Sequence, residues 1–228
     1  MICSHRKKFI YLKTRKTAST SVEIYFEKFC APAQLYEERS ARQELITNDG
    51  IIGFRAHKGE PLVFSGSFYH HMSAERTKEL LGEKIWDSYF KFCTIRNPYD
   101  KCVSFFWTQM NDLERQQIKY ASFEVVIKQF TQFITQHLFT SKIRDQNVFM
   151  IGKAVVVDDF IRYENLHDDV KTICKKLDIE FDSNALKRYR SDTRVRNEHF
   201  SEYYIPSLAK LVKSCFAWEI EHFNYGMT

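Results

Sequence analysis

The chain has few glycines and prolines and no paired cysteines, and these absences exclude several classes of protein. Its 228 residues include seven Gly and four Pro, and they contain no linker-like tract, low-complexity segment or internal repeat. The six cysteines are scattered without CxxC or Cys/His metal spacing, so we expect a reducing compartment and no metal site. No signal peptide or apolar run of membrane-spanning length is present. We therefore expect a cytoplasmic protein with no membrane insertion.

The composition favours one core and an anionic ligand. Hydrophobic residues make up 44% of the chain, enough to bury one sizeable core, so we expect a single domain over residues 1–228. The chain has 34 Lys and Arg residues and 29 Asp and Glu residues, which gives a formal net charge of +5. This modest excess suits an anionic substrate but is too weak to indicate binding to nucleic acid.

Short apolar runs followed by helical patterns predict an α/β fold. Residues 9–12, 89–95 and 154–161 are expected to be buried parallel strands, and residues 62–64 a weaker fourth strand. Each is followed by apolar residues at helical spacing, which favours β-α units with right-handed crossovers. The sequence therefore predicts a central, mostly parallel sheet flanked by helices.

A turn of small, hydroxyl-bearing residues follows the first predicted strand. Backbone N–H groups and the positive end of the next helix favour a phosphate or sulfate at such a turn, although the G-x-x-x-x-G-K-[ST] spacing of nucleotide-binding loops is absent. Thr20 is the expected helix cap, with Glu23 as its capping-box partner. The candidate anion-binding residues are Lys16, Thr17, Ala18, Ser19, Thr20 and Ser21.

A second candidate segment follows the second predicted strand. Asn97 and Pro98 are typical of a helix start, with Arg96 at the end of the strand and Ser104 on the second turn of the helix. A guanidinium and a hydroxyl placed in this way could bind one phosphate. The alternative is that Arg96 pairs with Asp100. Because ligands of open α/β sheets bind beyond the carboxyl ends of the strands, we expect both segments to serve one site.

Together the two segments resemble those of sulfotransferases that use 3′-phosphoadenosine-5′-phosphosulfate (PAPS). The sequence looks closest to the carbohydrate type that includes heparan sulfate 2-O-sulfotransferase, in which a Lys-Thr-Ala-Ser-Thr-Ser loop also occurs. It is also similar to small single-domain bacterial sulfotransferases, through residues 89–98, 162–166 and 223–225. The resemblance covers roughly residues 9–30, 68–110 and 155–225 and implies a P-loop-like three-layer fold.

This resemblance implies transfer of the sulfuryl group of PAPS to an acceptor hydroxyl, which leaves 3′,5′-ADP. Residues 16–21 would hold the 5′-phosphosulfate, Arg96 and Ser104 would bind the 3′-phosphate, and Lys16 would neutralise charge on the leaving phosphate. A basic surface hints at a saccharide acceptor. Many relatives carry Pro-Lys-Thr-Gly-Gly-Thr in this loop, whereas Arg15 precedes Lys16 here and Ala18-Ser19 replace the glycines. The loop is therefore less permissive at positive φ.

Histidines between the two segments are candidates for the base that takes the acceptor proton. The resemblance implies a catalytic histidine near this point, and a side chain with a pKa near 6.5 suits the role. His71 is the first choice and His70 the second, with His57 as an outside candidate. The alternative is that one of the adjacent pair is exposed and the other packs on Tyr69.

A basic segment near residues 188–199 is a weaker part of the expected site. In relatives a segment at this position closes over the nucleotide. The resemblance implies that role here only for Arg194 and Arg196. Surface or acceptor-binding charges are the alternative for these arginines, for Arg188 and for Arg190.

Two other functions remain open from the sequence. The first is a P-loop nucleotide kinase or NTPase, for which Val155-Val156-Val157-Asp158 imitates a Walker-B strand. The second is a non-catalytic binder of sulfated or phosphorylated glycans on the same fold.

Overall fold

A computed structural model describes residues 1–56, 62–187, 189 and 193–227. The strands within these residues are β1 (Ile2–Ser4), β2 (Phe9–Leu12), β3 (Leu45–Thr47), β4 (Gly50–Ile52), β5 (Phe90–Ile95), β6 (Met150–Ile151), β7 (Ala154–Val155) and β8 (Asp159–Arg162). The helices are α1 (Ser19–Glu27), α2 (Ala74–Leu81), α3 (Glu83–Ser88), α4 (Pro98–Gln109), α5 (Asp112–Tyr120), α6 (Phe123–His137), α7 (Leu166–Lys176), α8 (Pro206–Cys215) and α9 (Ala217–His222).

Six strands form one mixed sheet in the order β3-β4-β1-β2-β5-β8. β5 pairs in parallel with β2 on one side and with β8 on the other. These three strands form the predicted parallel core, and the α/β class is confirmed. The other three strands, each three residues long, extend the sheet beyond β2 through antiparallel pairs. They were not predicted from the sequence.

Two of the predicted strands are wrong or misplaced. Gly152 has a φ of 60° in the turn that pairs β7 with β6 in a separate hairpin, so the sheet strand begins only at Asp159. Residues 62–64 are not a strand, and Val63 is 78% exposed. Phe64 instead packs against the rings of Phe54 and Tyr69.

The chain divides into two compact units, and the first contains the sheet. It consists of Met1–Ile95 and Asp145–Tyr189 and carries helices α1, α2, α3 and α7. All four residues of β2 are buried, which is why this strand is a continuous apolar run rather than an alternating one. Its core includes Phe9, Phe26, Phe92 and Ile173.

The second unit is helical. It consists of Arg96–Arg144 and Arg190–Thr228, with α4, α5, α6, α8 and α9 around a core that includes Trp107, Phe130 and Phe216. Helix α4 begins as predicted, because Asn97 Oδ1 accepts the Tyr99 N–H at 3.1 Å and Pro98 is the first helical residue.

Candidate active site

The turn between β2 and α1 has a left-handed backbone at two residues other than glycine. Lys16 has a φ of 61° and Ala18 a φ of 57°, a conformation that costs about 1–2 kcal/mol for each such residue. Alternation of left- and right-handed residues gathers successive N–H groups into an anion-binding concavity. The local backbone therefore fits the anion-binding turn that the sequence predicts. Its left-handed positions carry Lys16 and Ala18 rather than glycine, which adopts this conformation without steric cost.

The helix start differs in detail from the prediction. The cap of α1 is Ala18, which makes no side-chain capping bond, and the helix begins at Ser19, one residue before the expected cap Thr20. The capping box was therefore wrong. Its expected partner Glu23 is instead buried in ion pairs with Lys13 and Arg55.

Four buried hydroxyls link this turn to the neighbouring strand. Thr94 Oγ1, near the end of β5, lies 2.7 Å from Thr17 Oγ1, 3.0 Å from Thr14 Oγ1 and 3.1 Å from the Tyr11 hydroxyl. We call these four residues the hydroxyl cluster. Ser19 Oγ also donates to the Thr14 carbonyl at 2.6 Å. Because buried hydroxyls need partners, these bonds set the shape of the turn.

Side chains of the turn alternate in burial. Thr17, Ser19 and Ser21 are buried, and Ser21 Oγ accepts the Tyr189 N–H at 3.2 Å. Lys16, Ala18 and Thr20 are only half-buried. The buried hydroxyls of the turn are therefore engaged within the fold, whereas Lys16 and Thr20 remain partly exposed.

Both adjacent histidines lie in the first unit with their Nδ1 atoms on backbone carbonyls. His71 Nδ1 is 3.0 Å from the Lys13 carbonyl oxygen, and His70 Nδ1 is 3.1 Å from that of Phe54. His70 also stacks on the Phe54 ring, and the two imidazoles meet edge to face with centroids 4.9 Å apart. The His71 ring is thereby bonded to the segment that leads into the turn.

The environment of both histidines favours the neutral imidazole. Burial, with help from the charges of Lys13 and Arg15, holds the pKa of His71 well below its usual value. Burial and the Lys13 charge lower the pKa of His70 to about 4. A neutral imidazole can accept a proton at neutral pH.

Beneath the turn, a buried ion network joins α1 to the strands. Lys13 Nζ lies 2.5 Å from Glu23 Oε2, Arg55 pairs with both Glu23 and Glu27, and Arg42 lies 3.0 Å from Glu27. Although burial opposes it, Lys13 and Arg55 hold the pKa of Glu23 well below its usual value. Burial lowers the pKa of Lys13 to about 8. The network fixes the side chain of Lys13, whose backbone carbonyl accepts the hydrogen bond of His71.

In the second unit, two of the predicted phosphate-binding arginines share one carboxylate. Arg96 donates to Asp100 Oδ2 from Nε at 2.9 Å and from Nη2 at 2.6 Å. Arg194 Nη1 lies 3.6 Å from Asp100 Oδ1. Ser104 is four residues after Asp100 on α4 and thus on the same helix face. The ion pair considered as the alternative for Arg96 is present, and it aligns Arg96 and Arg194 beside this face.

Arg196 does not join that carboxylate. Its guanidinium donates to Glu198 and to carbonyls at the end of α5, including that of Ala121 at 2.9 Å. The role predicted for Arg196 at the nucleotide stays a prediction. His57, Arg188 and Arg190 lie outside the described residues.

Across the described ranges, no group of three His, Cys, Asp or Glu side chains is placed to hold a metal ion. Among the helices described, none is long and apolar enough to cross a membrane.

Comparison with known proteins identifies the family. The model of a family described as "Sulfotransferase family" matches residues 1–226, so the chain belongs to the sulfotransferase family. It is also 27% identical over 131 residues to a protein of Archaeoglobus fulgidus described as uncharacterized, a match that covers 52% of this chain and 98% of that protein. No solved structure matches the chain.

Several residues that shape this site were not predicted from the sequence. Thr94 is a hydroxyl residue within the otherwise apolar end of β5, and this was the available signal for the hydroxyl cluster. Arg55 gave no such signal, because its acidic partners are 28 and 32 residues away in the chain.

Proposed function

We propose that this sulfotransferase moves the sulfuryl group of PAPS to a hydroxyl of a saccharide acceptor and releases 3′,5′-ADP. One observation carries the proposal: the Nδ1 atom of His71 is held by the carbonyl of Lys13, three residues before Lys16. The candidate base and the candidate anion-binding turn are therefore parts of one local structure in the first unit.

The proposed roles follow from the chemistry of the side chains. PAPS supplies an activated sulfuryl group. Thr20 and the amides of residues 16–21 would bind the 5′-phosphosulfate, and the hydroxyls of Thr17, Ser19 and Ser21 would hold the turn in shape. Arg96, Arg194 and Ser104 would bind the 3′-phosphate, where the planar guanidinium suits two phosphate oxygens.

The transfer needs one group to take up the proton of the acceptor hydroxyl and another to neutralise the charge on the leaving phosphate. A bond forms between the acceptor oxygen and sulfur, while the bond between sulfur and the bridging oxygen of the 5′-phosphate breaks. The acceptor proton passes to Nε2 of His71, because Nδ1 already carries a proton toward Lys13. Lys16 neutralises the charge that develops on the leaving phosphate. His70 lies beside His71 and supports its ring.

Turnover of the donor tests these roles and separates an enzyme from a binder. Release of 3′,5′-ADP from PAPS is measured with a panel of acidic and neutral polysaccharides as acceptors. Lys16→Ala and His71→Gln are each expected to lower the rate by about 10²–10³-fold, with affinity for 3′,5′-ADP kept in His71→Gln. Arg76→Gln, at an exposed pair with Glu79 on α2, is the control and should match the wild type. Binding of 3′,5′-ADP with no turnover on any acceptor would favour the non-catalytic binder.

A further inference from the structure

A continuous series of aromatic rings joins the surface of the first unit to the candidate base. The imidazoles of His71 and His70 meet with centroids 4.9 Å apart, and His70 stacks on the Phe54 ring at 6.1 Å. Phe54 contacts Phe64 at 5.3 Å, and Phe64 contacts Tyr69 at 5.4 Å. Groups bound at the outer end of this series are therefore connected to His71 through packed rings.

The two outer rings, Phe64 and Tyr69, are exposed, and we call them the aromatic pair. Phe64 is 42% exposed and Tyr69 is 37% exposed, whereas Phe54 beneath them is buried. A single exposed aromatic side chain is ordinary on a protein surface. Two that touch each other and lead to a candidate base form an apolar patch of the kind that binds ligands.

Hydrogen bonds hold the backbone that carries the aromatic pair. The Phe54 N–H donates to the Phe68 carbonyl and the His70 N–H donates to the Phe54 carbonyl, both at 2.8 Å. Gln43 Nε2 donates to the Val63 carbonyl at 3.2 Å. These bonds fix the residues next to both members of the pair. A ring on a fixed backbone loses little conformational freedom when it binds a ligand, which favours a role in recognition.

We propose that the aromatic pair binds a sugar ring of the acceptor that neighbours the sugar being sulfated. The inference rests on the proposed function and adds where a longer acceptor chain is held. The C–H face of a pyranose is apolar and weakly positive, so it matches the negative face of an aromatic ring. Because Phe54 and His70 lie between the pair and His71 in the series, the sugar on the pair is a different unit from the one that gives its proton to His71.

The test compares acceptors of different length. The acceptors are the single sugar and the oligomers of two to six units cut from the polysaccharide of the panel that supports the highest rate, and release of 3′,5′-ADP from PAPS gives kcat/KM for each. Phe64→Leu and Tyr69→Leu keep apolar bulk but remove the ring. Each should lower kcat/KM for the longer oligomers by about threefold to tenfold and leave the single sugar unchanged. Phe64→Tyr and Tyr69→Phe keep the ring and should retain the wild-type values.

Controls separate a role in binding the acceptor from a role in the fold. Val63→Ala changes an exposed apolar residue beside the pair and should leave kcat/KM unchanged at every length. Affinity for 3′,5′-ADP, measured by calorimetry, should match the wild type in every variant. Equal losses for the single sugar and the longer oligomers in the leucine variants would overturn the proposal.

Failure of this inference can be told apart from failure of the proposed function. If the wild type sulfates saccharides and both leucine variants match it at every length, the role of the aromatic pair is overturned and the proposed function stands. If the wild type sulfates no saccharide of the panel, the proposed function fails and this inference falls with it.

Discussion

His71 donates a hydrogen bond from Nδ1 to the backbone carbonyl oxygen of Lys13 over 3.0 Å. Because a carbonyl can only accept, this contact fixes the tautomer of the neutral imidazole and leaves the lone pair on Nε2. His71 also has a φ of 61°, a left-handed conformation that is uncommon outside glycine. Three of the six non-glycine residues with positive φ in the described part of the chain, Lys16, Ala18 and His71, therefore belong to the proposed turn and base, and such strain is common at functional sites.

The low pKa of His71 predicts how activity depends on pH. A base acts in its unprotonated form, which predominates above its pKa, and burial holds the pKa of His71 well below 6.5. The kcat/KM for the acceptor should therefore stay level as pH falls from 7.5 to 6. A tenfold fall per unit of pH below about 6.5 would show an ordinary histidine pKa and contradict this environment.

Replacing Ala18 by glycine should stabilise the protein. Ala18 has a φ of 57°, a left-handed conformation that costs a residue with a Cβ about 1–2 kcal/mol. Glycine has no Cβ and should remove that cost. The added freedom of the unfolded chain offsets about 0.4–1 kcal/mol, so the free energy of unfolding should rise by about 1 kcal/mol in urea denaturation. Ala209→Gly, within helix α8, is the matched control and should lose about 0.5–1 kcal/mol. An equal loss in both variants would mean that Ala18 is unstrained.

Thr94→Val tests the hydroxyl cluster. Valine keeps the shape but leaves the buried hydroxyls of Tyr11, Thr14 and Thr17 short of a partner. We expect a loss of about 1–3 kcal/mol in the free energy of unfolding, together with weaker binding of 3′,5′-ADP as the turn loosens. In Thr135→Val, where the exposed hydroxyl donates to the Thr131 carbonyl of its own helix, both quantities should change little. An unaffected Thr94→Val would show that the cluster does not shape the turn.

Glu23→Gln tests the buried ion network. Glu23 compensates Lys13 and Arg55 in a site without solvent, and removal of one partner of a buried pair costs about 3–5 kcal/mol. The variant should be strongly destabilised in thermal and urea unfolding. Arg76→Gln breaks the exposed pair with Glu79 and is expected to cost less than about 1 kcal/mol. Similar losses in the two variants would be at odds with the network.

The sequence predicted the parts of the fold that local pattern determines. The predicted strands β2 and β5 and the Asn97-Pro98 helix start are confirmed. The antiparallel strands β1, β3 and β4 were missed because each is three residues long, too short for a pattern of alternating burial to be recognised.

Long-range contacts account for what the sequence left out of the site. Glu23 has the spacing of a capping-box residue, but burial beside Lys13 and Arg55 decides its role. The contact between His71 and Lys13 spans 58 residues, and no local pattern reports it. The preference for His71 over His70 remains a prediction that this contact supports.

Calorimetric titration of the wild type with 3′,5′-ADP, beside 5′-AMP and ATP with magnesium, tests directly whether PAPS is the donor. We expect the bisphosphate to bind much more tightly than 5′-AMP and Arg96→Ala to abolish the difference. Equal binding of the two adenylates, or a preference for ATP with magnesium, would contradict PAPS as the donor and favour a nucleotide kinase.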